Sequence, residues 1–333
     1  MRLALAPAYQ TLGCVGGEFV EVERGMSVAL PSPVEHVADV ELLRGPRTDP
    51  SAPPDLLIEV PHGADERGHY DRLRSRLTGD LPADLHEFFH VNTDVAAWAL
   101  GRATALALID AAPQRSVLLV RCLIPRTFVD CNRVADYRGG PLDAGALTPG
   151  IPSYVRDPND RALLLDLHGR YVELARQAFA AVCGAGGLAL VPHTYGPRSL
   201  GIDAVDDDIV TNLRWACDPE RHDSWPLRAE VDLLTRDGEG QLFAPAGIEA
   251  ELMDALTGAG FTPKANDTYF LHPSTLGHAW SVAYPGRVLS LELRRDLLVE
   301  AWRPLEPMQA VPAACERVAK LLAPALERAL TRR

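Results

Sequence analysis

The 333-residue sequence lacks any apolar run approaching the roughly 20 residues that a membrane-spanning helix requires. Its opening, Met1-Arg2-Leu3-Ala4-Leu5-Ala6, meets Pro7 at once and passes into Tyr9, Gln10 and Thr11, too short an apolar stretch for a signal peptide. An excess of cations is lacking too. Lys and Arg number 33 against 45 Asp and Glu, a net charge of −12, whereas neutralising a phosphate backbone needs a basic face. Neither nucleic acid nor a membrane is therefore expected as a partner. The six cysteines, Cys14, Cys122, Cys131, Cys183, Cys217 and Cys315, include no CxxC pair. Scattered in this way they read as free thiols, small buried hydrophobes of a reducing compartment. A cytoplasmic protein is the expectation. GxSxG, Walker and GxGxxG loops are also absent, which removes the central parts of a serine hydrolase and a nucleotide-binding protein.

Apolar material is ample: 47% of residues are hydrophobic and 23% charged, near the globular average. Residues 1–54 are rich in Pro and poorly periodic, a lead-in segment that the sequence does not decide. Regular structure begins at 55, and 55–333 reads as one domain. Short apolar runs bounded by breakers predict buried strands at Leu56–Val60, Ser116–Leu123, Leu188–Val191 and Arg287–Leu293. Helical spacing predicts helices over 94–109, with Asp94 or Thr93 as N-cap, and over 160–182, 247–259 and 306–331. A Gly/Pro-rich loop occupies 138–152. Strands alternating with helices predict an α/β fold, a mixed sheet flanked by helices.

Two strands end alike, in Val60-Pro61-His62 and Val191-Pro192-His193. Ligands of open α/β sheets gather where the carboxyl ends of strands meet their loops. A histidine at each end can thus turn its imidazole into one shared crevice. Imidazole is a common zinc ligand, and catalytic sites take three protein ligands and leave a fourth position for water. Asp65 and Glu66 follow His62 at three and four residues, close enough for one of them to be the third ligand. Asp166-Leu167-His168 looks like a metal motif but lies inside the 160–182 helix. A helix-face histidine with no i+4 partner reads as structural or solvated, with substrate contact as the alternative for His168. Arg126 through Asp130-Cys131-Asn132-Arg133 supplies guanidinium forks and an amide donor, groups suited to a carboxylate or to a plain surface salt bridge. Ser290-Leu291-Glu292-Leu293-Arg294-Arg295-Asp296 ends an apolar strand. Glu292 is there placed to act as general base to a metal-bound water, or to pair with Arg294 at the strand edge.

The order Pro-His-Gly, Asp-Cys-Asn-Arg, strand histidine and Glu-Leu-Arg-Arg-Asp resembles the N-formylglutamate amidohydrolase family over about residues 55–300. It is more distantly similar to zinc carboxypeptidases and aspartoacylases. The resemblance implies a phosphorylase/hydrolase-like architecture, that of the zinc carboxypeptidases. It implies zinc held by His62, His193 and an acid just after the first histidine, with Glu66 preferred and Asp65 the alternative. Asn132 and Arg133 then bind the substrate carboxylate, Arg294 joins the substrate-binding set, Glu292 activates water, and Arg126 polarises the carbonyl oxygen. Gly63 stands where the pattern usually has Ser, and Thr194-Tyr195 follow the second histidine. The activity implied is zinc-dependent hydrolysis of the amide bond of a small-molecule N-acyl amino acid such as N-formylglutamate. A carboxypeptidase or other N-deacylase is the nearest alternative, and a metal-free binding protein on the same fold is the alternative of another class.

Overall fold

The computed structural model describes residues 29–135, 150–202 and 204–332. Cys14 and most of the expected 138–152 loop lie outside them. Seven strands form one sheet: β1 (Ala38–Arg44), β2 (Leu56–Val60), β3 (Ser116–Cys122), β4 (Leu188–Tyr195), β5 (Val231–Leu234), β6 (Pro263–Ala265) and β7 (Val288–Arg294). The helices in chain order are α1 (Arg67–Arg74), α2 (Leu85–Asn92), α3 (Ala97–Ala111), α4 (Pro158–Val182), α5 (Ile209–Ala216), α6 (Pro219–His222), α7 (Ile248–Gly258), α8 (Leu276–Ala283) and α9 (Pro312–Thr331). The strand order is β1-β3-β2-β4-β7-β5-β6. β3, β2, β4 and β7 run parallel, while β1 and β5 are antiparallel to β3 and β7. This is the expected mixed sheet flanked by helices. Residues 38–44, inside the expected lead-in, pair along their whole length with β3 and form the sheet's edge.

The central strands are apolar on both sides because both faces are covered. Leu57, Leu118, Ala189, Val191 and Val288 face the layer of α1, α2, α4 and α8. Leu56, Ile58, Leu119, Leu190, Leu289, Leu291 and Leu293 face α3, α7 and α9. Each of these side chains is essentially out of water, and full burial of one contributes about 1.5–3 kcal/mol.

Helix starts follow local chemistry. α4 begins at Pro158, two residues before the expected start, because the Asp157 carboxylate accepts from the N–H groups of Asn159 and Asp160. α9 begins at Pro312 and not at 306. α3 begins at Ala97: Ala96 sits at φ 74°, so Asp94 belongs to a turn and not to a cap.

One strand departs from expectation in a way that matters. Pro192 does not stop β4, which runs on through His193 to Tyr195 against β7. The N–H of Leu188 points to β2 and that of Ala189 to β7, so alternation turns the Pro192 nitrogen toward β2. The β2 ladder has already ended at Leu190. The missing donor therefore breaks no bond.

From β2 the chain passes to β3 on one side, then returns through α4 to β4 on the other. Strand order thus reverses between β2 and β4. The carboxyl ends of two such strands open a crevice, and that is where the chemistry-bearing side chains lie.

Candidate active site

His62 follows β2 and His193 lies within β4, and the two rings stand 5.0 Å apart between centroids. Asp94, from the turn between α2 and α3, bridges them. Its Oδ2 lies 3.2 Å from His62 Nδ1 and 2.9 Å from His193 Nδ1. All three residues are buried, at 3% to 5% exposure. The turn is fastened to the neighbours of both histidines: Thr93 Oγ1 donates to the Ala64 carbonyl, and Thr194 Oγ1 donates to that of Val95. Thr194, one of the departures from the family pattern, therefore has a positioning contact.

The sequence reading sought the third acid at Glu66 or Asp65, whereas the structure sets Asp94 beside the two histidines. Both of those carboxylates turn instead to Arg121, at 3.0 and 2.7 Å, and Glu66 caps α1. Arg121 also donates to the Gly63 carbonyl. A Cβ on Gly63 would stand 2.6 Å from Arg121 Cγ, which is why Ser does not fit there without displacing Arg121.

The loop after β3 carries a second carboxylate that the sequence reading left without a role. Asp130 Oδ1 lies 2.8 Å from His62 Nε2 and accepts from the Asn132 N–H, and its Oδ2 accepts from Arg126 Nε at 2.9 Å. Arg133 Nη1 approaches that same oxygen at 3.7 Å. Asn132 Nδ2 lies 3.4 Å from His193 Nε2, while its Oδ1 accepts from the N–H of Gly277 at the start of α8. His168 is buried in α4, with Nε2 2.8 Å from the Arg133 carbonyl oxygen. It supports the loop and stands apart from the imidazole pair of His62 and His193.

Glu292 lies on β7 opposite His193 in register, and its neighbours Leu291 and Leu293 face the other side of the sheet. Its Oε2 and Ser290 Oγ are buried without a hydrogen-bond partner among the described residues. Arg294 departs from the substrate-binding set, for it pairs with Asp296 and Glu230. Of the two arginines it is Arg295 that lines the cavity, its guanidinium donating to the carbonyls of Val91 and Thr194.

The charges separate the carboxylates. Burial acts to raise Asp94, but the His62 charge and hydrogen bonds from both rings hold it well below the usual carboxylate range. Asp130 is also depressed, because Arg126, Arg133 and His62 outweigh its burial. Glu292 goes the other way. Burial lifts it to about 7, with Asp94 adding to the rise while His193, Arg126 and Arg228 oppose it. Underneath, Tyr171 donates to Glu59, a buried acid of β2 whose burial raises its pKa.

His62, Asp94, Arg126, Asn132, Arg133, His193 and Glu292 all line one cavity of about 490 Å³. The donor set fits a zinc ion, since two imidazole nitrogens and one carboxylate oxygen converge within 4.8 Å of one another. Asp130 against Nε2 holds the His62 ring with Nδ1 toward Asp94, the carboxylate–histidine support found behind metal-ligating imidazoles.

Solved structures share this architecture. The fold is similar to that of an N-formylglutamate amidohydrolase. The Ralstonia eutropha JMP134 amidohydrolase matches with a TM-score of 0.50 at 19% identity, over 87% of this chain and 96% of its own. A gene product of Agrobacterium tumefaciens matches with a TM-score of 0.50 at 18% identity, over 89% of this chain and 95% of its own. No family model matches the sequence, and no curated protein matches it significantly. At these identities the likeness to the amidohydrolase is one of fold. Cys122, Cys131, Cys217 and Cys315 are free thiols, and no helix among the described residues is long and apolar enough to cross a membrane.

Proposed function

We propose that the protein is a zinc-dependent amidohydrolase that cleaves the amide bond of a small-molecule N-acyl amino acid. The observation that carries this reading is the convergence of His62, Asp94 and His193 in one cavity with a partly buried acid, Glu292, poised near neutrality. The similarity in fold to an N-formylglutamate amidohydrolase supports the reaction class. His62, Asp94 and His193 would hold the zinc, which when bound supplies Lewis-acid polarisation and makes water a nucleophile at neutral pH.

The rest falls to side chains of the chain itself. Glu292, in its ionised form, takes the proton of the attacking water at its free oxygen and delivers it to the departing amine nitrogen. A pKa near 7 suits both acts, because the group holds and releases a proton at comparable cost. Arg126 stands over the same cavity to stabilise charge on the carbonyl oxygen. Asn132 and Arg133 are assigned to the substrate carboxylate, with Asp130 fixing both Arg126 and the backbone of Asn132.

The test is a metal assay on purified protein, followed by hydrolysis of N-formylglutamate and other N-acyl amino acids before and after chelation. Stoichiometric zinc and chelator-sensitive release of a free amino acid are expected. Efficient cleavage of a peptide's C-terminal residue with none of N-acyl amino acids would favour a carboxypeptidase. Absence of both metal and turnover would leave a binding protein.

A further inference from the structure

The cavity is far larger than a formyl group needs. Its volume of about 490 Å³ lies in the roughly 300–1,000 Å³ range of pockets that enclose drug-sized ligands. One wall is apolar. Phe88 and Val91 of α2, Leu200, Ile202 and Val205 of the segment after β4, and Leu213 of α5 all line the cavity. All six belong to, or pack against, one hydrophobic cluster. Phe88 and Leu213 are buried, whereas Val91, Leu200, Ile202 and Val205 are only partly so. The wall is continuous with the proposed chemistry, since α2 leads directly into the turn that carries Asp94.

Resting on the amidohydrolase reading, we infer that the substrate carries an apolar group of several carbons that lies against this wall. The hydrophobic effect gives such a group about 0.8 kcal/mol per buried methylene, close to a fourfold gain in affinity for each. A polar or one-carbon group there would leave apolar surface facing water inside the site. The group's chemistry is the same whether it is the acyl chain or the amino acid's side chain.

The experiment uses the full chain loaded with zinc and two substrate series. In the first, glutamate carries formyl, acetyl, butanoyl, hexanoyl or octanoyl groups. In the second, the N-formyl group is constant while the amino acid runs through alanine, valine, leucine and phenylalanine. Binding is measured by calorimetry and hydrolysis by release of the free amino acid. A rise in affinity approaching fourfold per methylene along either series supports the wall, and the series that shows it identifies the group. Ile202→Asn and Val205→Asn, at partly exposed positions, should each flatten that slope. Flat affinity along both series overturns the inference. Binding reads the wall independently of turnover: rising affinity without hydrolysis keeps the wall and sinks the amidohydrolase. Brisk hydrolysis of N-formylglutamate with flat affinity does the opposite.

Discussion

Asp94 and Glu292 are two carboxylates that line one cavity with the same imidazoles, and their surroundings drive them in opposite directions. Asp94 is held ionised by both rings, whereas Glu292 keeps an oxygen with no hydrogen-bond partner among the described residues and is lifted by burial to about 7. In the proposed function the first would hold the cation and the second would exchange a proton. Glu292→Gln should keep its zinc while kcat falls roughly 10²–10⁴-fold, the usual contribution of a general base; metal content and kcat on one preparation check both. Since the base works ionised, kcat/KM should fall as pH drops through about 7. Arg228 stacks between Tyr195 and Tyr269 and opposes the rise of Glu292. Removing that cation disfavours the charged carboxylate, so Arg228→Met should move the acid limb of the pH–rate profile upward. Asp94→Asn should lose zinc and Glu66→Ala should keep it; the reverse in a metal assay would return the third ligand to the acid after His62. His62, His193, Glu292, Asn132, Arg133 and Arg126 were legible because each stands in a short motif, and the structure gathers them round one cavity. Asp94 stands 32 positions from one imidazole partner and 99 from the other. Its neighbours, Thr93 and a run of Ala and Leu, made a helix cap the natural reading. Tertiary placement alone reveals it.

At the scale of elements, α2 carries both a wall of the cavity and a liability in acid. His90, on its buried side, is depressed to about 4, by burial first and by Arg67 and His86 after it. In the unfolded chain it titrates near 6.5, so between those values the unfolded state binds the proton and the folded state refuses it. The contribution is whole above 6.5 and is lost as pH falls toward 4, on the order of 3 kcal/mol. His90→Gln should therefore make stability less sensitive to acid across that window, measured by urea unfolding at pH 7 and pH 4.5. An unchanged pH slope would clear His90 of the role. Among the elements, β2, β3, β7 and the long helices were readable because apolar runs and periodicity persist over enough residues. The eight-residue α1, α2, α5 and α8 offer scarcely two turns each, too few for a period to show. β4 was cut short at Pro192, because sequence alone does not tell which edge of a strand lacks a neighbour.

Over the whole molecule, the layer opposite the site is a support with its own energetics. α9 packs on α3 and α7, and Arg115 links Glu327 of α9 to Asp55 just before β2. Leu326 is 1% exposed there, and its truncation to Ala should cost about 2–5 kcal/mol. The expected signature is a lowered urea midpoint with kcat per zinc unchanged, because the side chain lies across the sheet from the chemistry. The reversal of strand order between β2 and β4 carries a different consequence, one that concerns the order of events in folding. The proposed ligand trio comes from a strand end, an interhelical turn and a strand on the far side of a crossover, so no fragment that stops short of β4 contains all three. Loop-closure entropy must be met before such distant segments give any return. Capture of the proposed ion would then be a late event that waits for β4 to join β2, and during denaturation the metal and the native tertiary signal should leave in a single transition.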